Sequence, residues 1–374
     1  LAAGAGKILL SGVLDTRSQV PNYQGSIQLA RLDLSDLVAR DALRSDINAT
    51  LGLQGAGFSK KDLAGTMNLL IEPSSIGEVT IQRSDIHLRA ESERLQVENF
   101  RINTSTFNAA LTGEINLAGR SELDYQVALE LEQLRTLVNV NALAGEVKIR
   151  GQAGGTWPDT WVDGMLEANG IVFEESRVQG LNLSYRVDEL QSGPQLSARL
   201  EAHAARFGEV EIEAVTGETE YAINANDHHA SFSARLTQSS AIEANLAGEF
   251  SADDQRSEIT LEQLEARLQD DTWNNTTPVR VSFTRDDFLI EDFRLAHGDA
   301  FIESSGGMLD DQFQKLLFRA GNIDLDLLGD IISTPTQVSG RGDLTAKLEG
   351  SLEAPVLKAD LIIRTQQQPN PLFE

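Results

Sequence analysis

In Phe107-Asn108-Ala109-Ala110-Leu111-Thr112-Gly113-Glu114-Ile115-Asn116-Leu117, one parity carries Phe, Ala, Leu, Gly, Ile and Leu. Asn108, Thr112, Glu114 and Asn116 fill the other. A period of two is that of a strand with one apolar and one wet face. The alternation recurs in Tyr125, Val127, Leu129 and Leu131, in Leu181, Leu183, Tyr185 and Val187, and in Leu196, Ala198, Leu200 and Ala202. Phe232, Ala234 and Leu236 continue it, as do Ile242, Ala244, Leu246 and Phe250, then Val279, Val281 and Phe283, and Leu344, Ala346, Leu348 and Leu352. Roughly twenty such runs are expected, divided by turn residues such as Gly217, Asn226-Asp227 and Asp253-Asp254. Helical periodicity is confined to Ser35–Leu43, Glu132–Val138 and Leu327–Ile332, which is too little for the crossovers of a parallel sheet. The expected sheet is therefore mainly antiparallel and meandering. Aromatics are only 6% of residues, and Leu, Val, Ile and Ala make up the apolar parity. Such a face fits a long shallow groove in which one sheet curls on itself. A pair of ordinary β-sandwiches with modest cores fits it equally.

Two patterns recur. The form apolar-x-Leu-x-x-Leu appears at Leu32–Leu37, Leu129–Leu134, Ile259–Leu264 and Ile323–Leu328, each read as a strand end running into a helical turn. A glycine, a proline and a small residue opening a strand recur as Gly12, Pro21 and Gly25, as Gly151, Pro158 and Gly164, and as Gly350, Pro355 and Ala359. These prolines belong at strand starts or sheet edges, because proline lacks a ladder donor. The uneven spacing of the copies argues against a tight solenoid and for an open groove.

The segments Gly340 to Pro355 and Gly145-Glu146-Val147-Lys148-Ile149-Arg150-Gly151 through Trp157-Pro158 resemble the repeats of the TamB family, within the wider AsmA-like group. So do Trp273 to Pro278 leading into Val279-Arg280-Val281, and Phe293-Arg294-Leu295. The resemblance implies an all-β, elongated, mainly antiparallel curled sheet, forming an open groove with an apolar interior and a few short helical turns. It implies a periplasmic chain, anchored in the inner membrane by a segment outside this sequence. The implied role is moving phospholipid to the outer membrane, or assembling outer-membrane proteins with a BamA-like barrel partner. On this reading residues 1–374 form one continuous groove fragment, with repeat units at 1–120, 121–250 and 251–365 and a linker at 366–374. The expected groove lining is Leu111, Ile115, Val127, Leu129, Leu183, Leu200, Phe232, Leu246, Val281 and Leu344. The ligand is the phospholipid acyl chain.

Composition narrows the alternatives. The chain has 374 residues, 57 acidic and 31 basic, for a net charge of −26. This charge opposes a nucleic-acid partner and adsorption to an anionic membrane surface. With no cysteine there is no disulfide scaffold, thiolate metal site or thiol nucleophile. No apolar run reaches the length of a membrane-spanning helix. The chain starts at Leu1 without a signal segment, so it is taken as a piece of something longer.

Candidate chemistry is sparse. His87, His203, His228, His229 and His297 lack ligand spacing, and His228-His229 reads as a turn. The acidic pairs Asp253-Asp254, Asp270-Asp271, Asp286-Asp287 and Asp310-Asp311 read as solvated turns. Asp324–Gly329 opens like a calcium loop but has Leu328 where an oxygen ligand is needed. Gly4-Ala5-Gly6-Lys7 and Gly55-Ala56-Gly57 lack phosphate-loop spacing, and no serine elbow or HExxH is present. No cofactor, metal or enzymatic activity is expected. Trp157 and Trp161, flanking Pro158, read as packing between repeats. The remaining alternatives are a scaffold holding nascent outer-membrane strands at a sheet edge and a β-sandwich adhesin or enzyme.

Overall fold

The computed structural model describes residues 2–3, 6–35, 44–138, 140–208, 210–224, 227–239, 242–253, 255–284, 287–325 and 340–364. It is all-β, and its contacts divide it into two units, Leu1–Val210 and Glu211–Glu374. The expected tail at 366–374, nearly all of the helix at 35–43 and the helix at 327–332 lie outside the described residues. The unit boundaries read from sequence at 120/121 and 250/251 both fall inside paired strands.

In the first unit β1 (Ala2–Ala3), β2 (Gly6–Asp15), β3 (Asn22–Leu32), β4 (Ser45–Ala56) and β5 (Ala64–Ile71) are followed by a small hairpin, β6 (Ser74–Ile76) and β7 (Val79–Ile81). Then come β8 (Ser84–Glu91), β9 (Arg94–Asn103), β10 (Phe107–Asn116), β11 (Arg120–Glu130), helix α1 (Leu131–Val138), β12 (Leu143–Thr156), β13 (Asp159–Phe173), β14 (Ser176–Asp188) and β15 (Gln195–Phe207). From β2 to β15 each main strand pairs antiparallel with the next, β5 passing directly to β8.

The second unit repeats this meander with β16 (Val210–Asn224), β17 (Asp227–Ser239), β18 (Ile242–Ala252), β19 (Ser257–Leu268), β20 (Asp271–Asn275), β21 (Val279–Phe283), β22 (Phe288–His297), β23 (Ala300–Leu309), β24 (Gln312–Asp324), β25 (Arg341–Ser351) and β26 (Pro355–Arg364). Here β20 and β21 share one strand position, since both pair with β19 on one side and β22 on the other. Pro278, with no N–H to give a ladder, stands at the break.

Within each unit the main strands form one continuous antiparallel sheet. Helix α1 packs on β12. Only eleven described apolar side chains are buried. An ordinary sandwich closes a core between facing sheets, and so few enclosed apolar side chains do not fill one. Bulges at β9–β10, β12–β13, β18–β19 and β22–β23 bend the sheets.

The repeated motifs have mixed outcomes. Leu129–Leu134 runs from β11 into α1, and Leu32 and Ile323 each precede a first helical residue, Ser35 and Leu325. Ile259–Leu264 is different: it lies inside β19, where Glu262 is the extra residue of a bulge opposite Ala247 and Gly248. Two leucines three apart can share a face through a helical turn or through a bulge, and here the side chain of Asn275 favours the bulge. The Leu264 N–H donates to Asn275 Oδ1 at 2.8 Å, and Asn275 Nδ2 donates to the carbonyls of Glu262 and Thr277, both at 3.0 Å. Asn275→Ala leaves these groups unpaired and is expected to cost about 1–3 kcal/mol. A lower urea midpoint at unchanged slope would report it.

The prolines stand at strand starts: Pro21 precedes β3, Pro158 precedes β13 and Pro355 opens β26. The two glycines of the first two copies meet across their hairpins, Gly12 opposite Gly25 and Gly151 opposite Gly164. Gly217 is no turn residue; it sits within β16 opposite Ala234. Asp310 and Asp311, both with positive φ (50° and 58°), make a two-residue turn of the kind that matches strand twist.

Candidate functional site

Directly opposed residues in a ladder share a face, so register alone identifies what each face carries. In the first unit one row can be followed across twelve strands. It begins Leu10, Ile27, Leu51, Leu69, Ile86 and Phe100. It continues through Leu111 and Tyr125, then Gly151, Gly164, Tyr185 and Ala198. The row two residues away along the strands includes Leu53, Met67, Leu88 and Val97, and then Leu123, Ala153, Val162 and Val187. No charged side chain enters either row. At about 4.8 Å per strand the first row is about 53 Å long.

Six of the ten residues singled out from sequence fall on this face within β10–β15. Leu111 is in the long row, Val127, Leu183 and Leu200 share a second with Ile149 and Leu166, and Leu129 lies in a third with Val147 and Leu181. Ile115 is on the same parity as Leu111, opposite Leu95. In the second unit Phe232 continues through Gly248 and Leu261 to Val279, and Val281 lies in the adjoining row with Phe250, Ile259 and Ile290. Leu246 pairs with Ala234 and Leu264 in that face. Leu344 lies between Ala320 and Leu361. All ten therefore stand on the apolar face of their own unit.

The opposite face is ionic. Arg150 Nη2 meets Glu167 Oε1 at 2.6 Å, and Glu243 is held between Arg235 at 2.6 Å and Arg267 at 2.8 Å. Arg294 and Arg319 flank Glu303 in the same manner. Exposed pairs such as Arg150–Glu167 are worth about 0–1 kcal/mol each and chiefly keep this face wet, whereas Glu243 is itself buried between its two arginines. Lys347 and Lys358 hold the Glu349 carboxyl down at about 2, the side-chain bond from Lys347 being the larger cause.

Three sequence readings change. Trp157 does not pack between repeats: it is 70% exposed at the β12–β13 hairpin tip. Trp161 faces the ionic side under the Arg186 guanidinium, 5.1 Å from its ring, because Val162 takes the apolar face. His228 and His229 lie in β17, not in a turn, opposite Ile223 and Ala222, and His228 bonds to the Tyr221 hydroxyl.

One feature escaped the reading of residues. Tyr125 and Tyr185 stand in the long row with Gly151 and Gly164 between them, and their hydroxyls meet at 2.6 Å over the two glycines. Tyr125 Oη also donates to the Asp163 carbonyl at 3.0 Å. A single-strand reading registers only a Tyr at an apolar position and a Gly mid-strand; the constellation needs the register of four strands. Among the described residues no three His, Asp or Glu side chains are placed to hold a metal ion. The chain matches no family model and no curated protein.

Proposed function

We propose that this chain is a lipid-conducting β-groove, moving phospholipid between the inner and outer membranes of a bacterial envelope and so supporting outer-membrane biogenesis. The observation that carries the reading is the uncharged face running strand after strand, with few of its side chains fully enclosed. Carrying an acyl chain of some sixteen carbons through water costs roughly 12 kcal/mol. A continuous apolar bed offsets most of that. One acyl chain spans the about 15 Å of half a bilayer's hydrocarbon core, so the long row accommodates it at many positions in turn. The ionic reverse face keeps the chain in water while the bed is loaded. No residue performs chemistry in this mechanism, and catalysis is not part of the proposal. The likeness of Gly145–Pro158 and Gly340–Pro355 to TamB repeats supports the same role, a periplasmic location and an inner-membrane anchor outside this chain.

The test is mass spectrometry of lipid co-purifying with the chain from a bacterial envelope fraction. Stoichiometric phospholipid is expected, and its absence after mild, detergent-free isolation would overturn the proposal. A second reading, a scaffold for outer-membrane strands acting with a BamA-like barrel, is favoured by one observation. Strand β26 is exposed along its whole length and, among the described residues, pairs only with β25. Peptide binding at that edge without lipid would select it.

A further inference from the structure

In the long apolar row of the first unit, the phenols of Tyr125 and Tyr185 are the polar side chains, and they lie flat on backbone. A Cβ added at Gly151 would fall closest to the Asp163 carbonyl oxygen and 2.6 Å from Tyr125 Oη, and one at Gly164 would fall 2.7 Å from the Arg150 carbonyl oxygen and 2.7 and 2.9 Å from the two hydroxyls. Glycine thus leaves room both for the close backbone approach and for the two hydroxyls above it. Covering a strand glycine does not itself need a hydroxyl. On the ionic face of the second unit Phe301 lies over Gly321, its opposite neighbour, with a plain ring. The paired hydroxyls are a separate feature.

Their protons can be arranged in two ways. With Tyr125 donating to the Asp163 carbonyl, Tyr185 donates to Tyr125 Oη and both protons are used. With Tyr125 donating to Tyr185 Oη, the Tyr185 O–H is released to a third group. Burial, and next the bond with Tyr185, push the Tyr125 phenol above its ordinary range, so it stays a neutral donor. A carbonyl drawn into an apolar bed loses its water and needs a donor in exchange.

We propose that Tyr125 and Tyr185 form a hydrogen-bonding station in the floor of the apolar face, where the Tyr185 hydroxyl holds the ester carbonyl of an acyl chain. The inference rests on the reading of that face as an acyl-chain bed. It turns a uniform floor into one with a preferred stopping point, on β11 to β14.

The experiment compares methyl palmitate with heptadecane, matched in length, as competitors of a fluorescent apolar dye bound to the whole chain. In wild type the hydrogen bond should offset the water the ester carbonyl loses. Tyr185→Phe keeps the ring and should bind the ester roughly two- to tenfold more weakly and the alkane as before. Independently of any variant, the infrared carbonyl stretch of ester bound to wild type should fall below its value in hexane. An unshifted carbonyl, or an ester-to-alkane affinity ratio that Tyr185→Phe leaves unchanged, would overturn the station and leave the apolar bed standing. Binding of neither ligand would overturn the bed itself, and the station with it.

Discussion

Leu111→Arg is expected to leave the first unit folded and to lower lipid occupancy about a hundredfold. Leu111 sits between Phe100 and Tyr125 in the long apolar row and is only half-buried. Its replacement can therefore carry the guanidinium to the rim, with the aliphatic stem remaining on the sheet. What is lost is continuity. One strand spacing of about 5 Å corresponds to about four methylenes, or about 3 kcal/mol of acyl burial. The matched control is Thr112→Arg, one residue along on the opposite face and opposite Asp124, which should change neither occupancy nor fold. Circular dichroism and quantified co-purified phospholipid check both variants. Wild-type occupancy in folded Leu111→Arg would mean that this face carries no acyl chain.

The second large effect concerns stability. Trp273 is 4% exposed and packs with Ala300 and Ile323, with Ala266, Leu268, Leu295, Ile302 and Ala320 around them. Few apolar side chains of this sheet are enclosed, and this is the largest enclosed residue described in the second unit. Trp273→Ala should destabilise by about 3–5 kcal/mol, the range for emptying a large aromatic site. Among the described residues the indole N–H has no hydrogen-bond partner, so Trp273→Phe removes no bond and should recover most of the loss. Urea titrations of the three proteins decide it. An alanine variant within about 1 kcal/mol of wild type would show that the cluster is not what holds the second unit together.

The face of each strand was legible in the sequence because it depends on a period of two, and a one-residue error would have put Glu114 or Lys148 among leucines; antiparallel direction followed from the shortage of helices for crossovers. The placing of all ten candidate residues on the apolar face follows from that parity. Local irregularities were harder. Ile259–Leu264 and Leu129–Leu134 have the same apolar pattern, yet one is a bulge and the other enters a helix. The side chain that distinguishes them, Asn275, lies eleven residues beyond Leu264. Trp157 and Trp161 were misjudged because bulk alone suggested burial, whereas turn geometry exposes the first and parity turns the second to the ionic face. The tyrosine pair was invisible for a related reason. Tyr125 and Tyr185 are 60 residues apart, and nothing in either segment announces the other.

The confinement of contacts to sheet neighbours makes each unit quasi-one-dimensional, so its stability accumulates hairpin by hairpin, as in repeat proteins. Its natural unit of change is an even number of strands. Excising one hairpin would shorten the floor by about 10 Å and return the chain in its former direction, with every later side chain on its former face. Excising a single strand would reverse all that follows. A protein built this way can be fitted to a gap of given width by gaining or losing hairpins, without redesign of any core.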